Sequence, residues 1–451
     1  MSKKVIELDA LEQINLDAAG IDIGAESIYV AVPPGRDTES VKEFPTFTAD
    51  LQRTAEWLKK CKISTVAMES TGVLWVPIYE ILEHHGFEVF LVNTYHLKNV
   101  QGRKTDVLDC QWIQQLHTYG LLKASFRPPE EIVEIRGYVR HRDTLVKYRS
   151  AHIQHMQKAL NLMNLKLVNV LSDITGVTGM KIIRAIIDGE RDPYVLANFR
   201  NKLCKKDEEE IAKSLEGYYR PEQVFVLKQS VEQYDFYEKQ IQEVDQQLES
   251  LYKKYDPPDE DNYKNRKKHK PRKNQAHFDL GDSLYRMAGV DLTKIDGVDA
   301  LIAQKVLSEI GTDMSKWPTV KHFTSWLKLC PNNKVTGGKV IQTGTQKTKN
   351  RATTALRIAA FSLSHNNKSA LGSFYRRIKA RNGPSEAITA TAHKIAKIIY
   401  FMLRDKTDYY DLGENYYQEK FREILIKKLH KQAANFGYYL EPYNMAIPLV
   451  S

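Results

Sequence analysis

AGIDIGAESIYVAVPP, residues 19–34, decides the fold of the first part of this chain. Ile21 and Ile23, then Tyr29 and Ala31, recur with the period of two that a strand lying on a sheet requires, and a short turn separates the two runs. The stretch therefore predicts two strands, and SVKEFPTF (40–47) predicts a third. Further along, strand and helix alternate. TADLQRTAEWLKKC (48–61) predicts a helix, with Thr48 or Asp50 able to cap it. STVAMES (64–70) predicts a fourth strand, WVPIYEILEHHG (75–86) a helix stopped by Gly86, FEVFLVN (87–93) a fifth strand, and TDVLDCQWIQQLHTYGLL (105–122) a last helix.

Three strands, helix, strand, helix, strand, helix is the order of an α/β, RNase H-like domain, here spanning 1–127. Four carboxylates stand out in it. Asp22 sits mid-strand between Ile21 and Ile23, so its side chain leaves the face opposite theirs. Glu69 ends the fourth strand, where ligands gather outside the carboxyl ends of parallel strands. Asp106 and Asp109, three apart near a helix start, share one helical face. Gathered without counter-ions, four such charges would raise one another's pKa, so the set makes sense with cations present, and oxygen-only ligands suit Mg²⁺ or Mn²⁺. Two such ions serve phosphodiester displacement. Each acid alone has a structural alternative: Asp106 could cap a helix after Thr105, and Glu69 could pair with a lysine.

The chain has 451 residues, more than one core accommodates, so two or three domains are expected, and 42% hydrophobic residues suffice to bury them. No apolar run is long enough to cross a bilayer, and the opening MSKKVIELDALEQ lacks the apolar stretch of a secretion signal, which predicts a cytoplasmic protein with no membrane partner. Cys61, Cys110, Cys204 and Cys330 form no CxxC pair, which argues against zinc or disulfides. Sixty-six Lys and Arg against 56 Asp and Glu give a net charge of +10, a surplus that draws nucleic acid by releasing counterions from phosphates.

Beyond Pro128 long polar helices follow, and 128–255 is expected to be a helical, coiled-coil middle. In Glu222–Tyr252, the residues Val224, Leu227, Val231, Tyr234, Tyr237, Ile241, Val244, Leu248 and Leu251 recur three and four apart, the seam of a coiled coil that self-associates or of one helix packed within its own subunit. The segment 256–286 reads as a basic flexible linker in which Lys267, Lys268, Lys270 and Arg272 could grip phosphates. From 287 to 451 a mainly α domain is expected. Its LTKIDGVDALIAQKVLSEIG (292–311) has the form of a helix-hairpin-helix whose amides can hold a phosphate, and KVTGGKVIQTGTQKTKNRATTALRIAA (334–360) reads as a Gly-rich basic loop running into a helix. The aromatic residues Tyr375, Phe374 and Tyr400 are expected in the core.

GIDIG around Asp22, MESTG around Glu69 and RKTDVLDC around Asp106 and Asp109 resemble the DEDD transposases of insertion sequences, recombinases related to the Piv invertases and also described as bridge-RNA-guided recombinases. The resemblance continues through IDGVDALIAQKVLSEIG, LCPNNKVTGGKV and KNRATTALRIAA, and covers nearly the whole chain. It implies a RuvC-like catalytic domain, a dimerising coiled coil, and a C-terminal transposase domain whose serine forms a covalent 5′-phosphoserine link to DNA. It also implies a homo-oligomer, dimer or tetramer (a dimer of dimers), on donor and target DNA in a bacterial or archaeal nucleoid. A structured non-coding guide RNA would supply the sequence specificity.

This chain departs from that pattern at one position: Thr336 stands where the family has a serine before the paired glycines. Its extra methyl stiffens χ1 and crowds an attack on phosphorus. Thr336 is then a working substitute, an inactivating replacement, or displaced in its role by Thr343, Thr345 or Thr348. Lys104, Lys334, Lys339, Lys347, Lys349 and Arg351 are the expected phosphate contacts nearest the chemistry. Three functions remain open on this reading: an RNA-guided DNA recombinase, a nucleic-acid-binding assembly stalled by Thr336, and a simple metal-dependent nuclease.

Overall fold

The computed structural model describes residues 12–70, 72–93, 106–256, 274–366 and 368–441, with the backbone alone at Asp106, Lys334, Gln342 and Tyr417. The chain divides into two compact units, Met1–Arg127 and Pro128–Ser451.

The first unit is built on five strands, β1 (Ala18–Ile23), β2 (Ser27–Ala31), β3 (Val41–Pro45), β4 (Thr65–Glu69) and β5 (Glu88–Val92), in the order β3-β2-β1-β4-β5. β1 pairs antiparallel with β2 and β2 with β3, whereas β4 runs parallel to β1 and β5 parallel to β4. That is the strand order of an RNase H-like sheet. β1 and β4 are its central strands, nearly continuous in buried residues because both faces are covered. On one face α1 (Thr48–Lys60) and α2 (Trp75–His84) bring Leu51, Leu58, Ile78 and Leu82 against Ile21, Val30, Val66 and Met68. On the other, α3 (Asp106–Thr118) sets Ile113 against Ala67 and Val92.

The five strands and three helices fall where their patterns put them, and α2 gives way to Gly86 at φ 82°. The cap of α1 differs. Phe47 is its N-cap, with no side-chain bond, and Asp50 pairs instead with Arg53 one turn on. Asp50 already lies inside the first turn, where a side chain meets its i+3 neighbour more readily than the leading amides.

In the second unit, α4 (Glu130–Leu162) and α9 (Pro221–Tyr252) are two long helices laid along each other. Between them come four short helices, α5 (Leu167–Val170), α6 (Val177–Ile187), α7 (Pro193–Ala197) and α8 (Glu208–Ser214), which pack a core around Leu160, Ile182, Ile183, Leu196 and Ile211. Leu227, Val231, Ile241, Val244, Leu248 and Leu251 are buried within the single chain, so much of the heptad-like seam is consumed by intramolecular packing. A buried ion pair fixes the two helices: Arg142 donates through Nε to Asp245 Oδ1 at 2.5 Å and through Nη2 to Oδ2 at 3.1 Å, and its remaining donors reach the carbonyls of Asn274 and Gln275.

The rest of this unit comprises α10 (Leu280–Ala288), α11 (Ala300–Ile310), α12 (Val320–Trp326), the hairpin β6 (Lys334–Thr336) and β7 (Lys339–Gln342), and then α13 (Arg351–Ser362), α14 (Ala370–Asn382), α15 (Pro384–Asp405) and α16 (Gly413–Asn435). Tyr375 and Tyr400 are core residues, 1% and 2% exposed. The turn before α11 passes through Gly297 at φ 83°, where an added Cβ would meet Ala359 O at 2.6 Å. Asp299 accepts from the amide of Ile302, so a carboxylate already occupies the start of α11, where a helix-hairpin-helix would receive a phosphate. Among the described residues no helix is long and apolar enough to cross a membrane.

Candidate active site

The site grows from one register. β1 and β4 pair in parallel from Ala18 with Thr65 to Ile21 with Met68. One step further on, Asp22 and Glu69 stand side by side at the carboxyl ends of adjacent strands, and parallel partners in register send their side chains to the same face. Ile21 and Met68 point into the core beneath α1 and α2, so Asp22 and Glu69 belong to the α3 face. Both are half-buried.

α3 reaches that face because Gly20 has no side chain. A Cβ there would lie 2.2 Å from the Gln114 amide nitrogen and 2.4 Å from Cys110 O, so the backbone of α3 rests directly on β1. The contact is secured further along the helix. Gln114 Nε2 donates to Ala18 O at 3.4 Å and to Thr118 Oγ1 at 2.9 Å. Thr65 Oγ1 donates to Glu88 O and lies 2.9 Å from His117 Nε2, so the imidazole nitrogen is the donor in that pair. Burial drives the pKa of His117 down to about 4, and the ring is neutral at ordinary pH. The amides of Ile14 and Asn15 close the end of the helix on Thr118 O.

The opposite end of α3, from Asp106 to Cys110, thereby comes to the carboxyl ends of β1 and β4. The thiol of Cys110 registers what surrounds it. Its pKa is pushed up to about 12, first by burial, then by the charge of Asp22, with Asp109 adding in the same sense. Asp22 and Asp109, far apart in sequence, thus act on one atom. Asp109 is half-buried, and the side chain of Asp106 lies outside the described residues. Oxygen donors from two strands and a helix are the donor chemistry that Mg²⁺ or Mn²⁺ accepts. Among the described residues, however, no three His, Cys, Asp or Glu side chains are drawn together closely enough to enclose an ion.

The loop after Glu69 is held in place. Ser70 N donates to Val92 O, Gly72 adopts φ 60°, and Trp75 Nε1 donates to Gly72 O at 3.2 Å. Arg127 stacks 4.3 Å from the Tyr79 ring and pairs with Glu80 and Glu83, fixing α2 beneath that loop. The sequence pattern gave no role at the site to Gly20, Cys110, Gln114 or His117. Only Gly20 left a signal, a glycine interrupting a strand, which marks a close backbone approach.

In the second unit, the expected loop around Thr336 is a two-stranded hairpin. Thr336 pairs with Lys339 across Gly337 and Gly338, at φ 56° and 77°, and two central residues with positive φ are what a tight type I′ turn requires. KVT and KVIQ around a Gly-Gly pair carry that signal, which the abundance of hydroxyls and lysines obscured. Thr336 is exposed beside the turn, and Val335, Val340 and Ile341 are 58%, 55% and 67% exposed. The hairpin base is closed by Asn332 N donating to Gly344 O at 2.7 Å. Of the alternative hydroxyls, Thr348 Oγ1 accepts from Asn350 N, while Thr343 is exposed. Lys339, Lys347 and Lys349 are exposed as phosphate contacts should be, whereas Arg351 lies 3.9 Å from Asp143 in an ion pair. Lys104, Lys267, Lys268, Lys270 and Arg272 lie outside the described residues, as does the side chain of Lys334.

Two family models match the chain: a DEDD transposase of the IS110 type over residues 19–165, and a transposase of the IS116/IS110/IS902 family over residues 291–376. The chain belongs to the IS110 family of transposases. The first match spans all four acids and the second spans Thr336. No curated protein matches the chain. As an IS110-family transposase the protein is a DNA-cleaving and rejoining enzyme with DNA as its substrate, which accounts for its basic surplus.

Proposed function

We propose that this transposase cuts DNA with the carboxylates Asp22, Glu69, Asp106 and Asp109, and that the hydroxyl of Thr336 takes up the cut strand. The reading is carried by the adjacency of Asp22 and Glu69 at parallel strand ends, on the face where α3 brings Asp109. Asp22, Glu69 and Asp109, with Asp106 at the start of the helix, are the residues that would hold Mg²⁺ or Mn²⁺. When bound, such an ion polarises the phosphate and neutralises charge that develops on it. The carboxylates position that phosphate and accept the proton of the attacking hydroxyl.

In the covalent step Thr336 Oγ1 forms a bond to phosphorus as the P–O3′ bond breaks. The strand leaves with a free 3′-hydroxyl, and the 5′-phosphate remains esterified to threonine. Attack by a second 3′-hydroxyl reverses the chemistry and rejoins DNA without external energy. The exposure of Thr336 beside a tight two-glycine turn supports this role, because a strand can approach it. A homo-oligomer on donor and target DNA, with a structured guide RNA choosing both by base pairing, completes the reading, and its support is the family resemblance of the motifs. Single substitutions Asp22→Asn, Glu69→Gln and Asp109→Asn test it on full-length protein and element-end DNA. Each should remove Mg²⁺-dependent strand cleavage while the melting temperature holds. Cleavage that persists in all three would refute the assignment.

A further inference from the structure

One stretch of the second unit holds the whole positive surplus of the chain. Between Asp313 and Glu386 there are fourteen Lys and Arg and no Asp or Glu, which leaves 52 Lys and Arg against 56 Asp and Glu elsewhere. Its lysines stand at the surface: Lys321, Lys328, Lys339, Lys347, Lys349 and Lys368 are all exposed. A run of one sign draws polyanions. The middle of this run is gathered into one surface. The hairpin that carries Thr336 is closed by Asn332 N on Gly344 O, and α13 is tied to the same short stretch by Thr353 Oγ1, which donates to Leu327 O at 2.7 Å. Lys347 and Lys349 lie on the connection from hairpin to helix.

α13 turns two stripes outward, and they differ in their surroundings. Arg351, Ile358 and Ser362 make the first. Acids border it: Arg351 lies 3.9 Å from Asp143, and Ile358 and Ser362 wall a cavity lined also by Asp279, Asp296 and Asp299. A phosphate is repelled there. Thr354, Arg357 and Phe361, spaced three and four apart, make the second stripe. Among the described residues Arg357 pairs with no carboxylate, and its buried Nε has no hydrogen-bond acceptor. A half-buried guanidinium in that condition is costly until an anion reaches it. One turn on, Phe361 is 57% exposed, and α13 itself contains no acid.

We propose that the stripe of Thr354, Arg357 and Phe361 seats an unpaired DNA strand, with a phosphate on Arg357 and a neighbouring base against Phe361. Cations beside exposed rings hold unpaired strands of any sequence. DNA is the occupant because it is the substrate of the family's reaction. Lys347 and Lys349 continue the path toward the hairpin, so the seated strand leads to Thr336. That direction rests on the role proposed for Thr336; the binding does not, since neither that hydroxyl nor the carboxylates take part in it.

The test uses full-length protein in EDTA, so that nothing is cleaved, with fluorescent thymidine and uridine strands of equal length, the thymidine strand as a duplex, and an abasic strand. With 5-iodouracil in place of thymine, photo-crosslinking should mark the peptide that contains Phe361. Phe361→Ala, at an exposed position, should weaken binding of the thymidine strand by about 5- to 100-fold, with no such loss on the abasic strand. Arg357→Gln should lower the slope of log affinity against log salt by about 0.7, and Arg357→Lys should restore it. Arg351→Gln, on the stripe that acids border, should cost less affinity than Arg357→Gln. If Arg357→Gln melts early, Arg357→Lys and Phe361→Ala still carry the test. Crosslinks confined to other segments, an equal loss on the abasic strand, or an unchanged slope in a folded Arg357→Gln protein would overturn the proposal. Equal losses on the duplex would overturn the unpaired strand, and a larger loss on uridine than on thymidine would overturn DNA in favour of RNA. A Phe361→Ala protein that binds strands normally but changes oligomeric state would overturn it in favour of a second copy of the chain.

Discussion

Replacing Gly20 with alanine tests how the site is assembled. The new Cβ would stand 2.2 Å from the Gln114 amide nitrogen and 2.4 Å from Cys110 O, both backbone atoms that cannot swing aside, whereas real Cβ contacts do not fall below 3.0 Å. α3 must therefore withdraw from β1 by about 0.8 Å at the least. Two energies then compete. Alanine restricts the unfolded chain and stabilises by about 0.4–1 kcal/mol, while overpacking a tight contact costs about 1–3 kcal/mol. The second prevails, and the first unit should melt a few degrees lower. The functional loss should be larger, because Asp109 precedes Cys110 on the displaced turn and a misplacement near 1 Å costs about 100-fold in rate. Thermal melting and single-turnover cleavage of element-end DNA in Mg²⁺ measure the two effects. A Gly20→Ala protein that melts and cuts like the wild type would refute the reasoning that α3 sets the distance between Asp109 and Asp22.

Three further outcomes follow from the same geometry. His117 is neutral when folded, with a pKa of about 4 against 6.5 for a free histidine, so between those values the unfolded chain binds the extra proton and stability falls as pH falls, by on the order of 3 kcal/mol in total. Urea midpoints between pH 7 and pH 4 should decline less steeply in His117→Gln, and identical slopes would count against the buried-neutral state. Arg142→Met strands Asp245 without its buried partner and should cost about 3–5 kcal/mol in chemical denaturation, against little change for the exposed Arg184→Met. Thr336→Ser removes the methyl that crowds in-line attack and should raise strand transfer several-fold, while Thr336→Val should lose it, both read by joined product on a denaturing gel.

The sheet was legible because β1, β2 and β4 carry alternation or buried runs that suit a strand; Asp22 and Glu69 stand out as carboxylates in those runs, although the pattern puts Asp22 mid-strand and it lies one residue short of the end of β1. What the sequence concealed was contact at a distance. Nothing in GIDIG says which helix lies on Gly20, and nothing around Cys110 says that Asp22 faces it. Asp50 was misjudged as a cap because capping depends on which residue starts the helix, a choice made by the preceding chain. The apolar spacing from Val224 to Leu251 was read as a seam open to two kinds of partner, because periodicity does not say whether α4 of the same chain or another copy covers it. The hairpin at Thr336 was missed for a different reason: its strands are three and four residues long and exposed, so burial imposes little alternation on them.

The most direct test of the account is to incubate full-length protein with Mg²⁺, co-purified RNA and element-end DNA, quench it under denaturing conditions, and identify any DNA-bearing peptide by mass spectrometry. The account predicts a 5′-phosphate ester on Thr336 that is absent from the Asp22→Asn and Asp109→Asn proteins. Cleaved DNA with no protein attached, or an adduct that survives loss of those carboxylates, would contradict it.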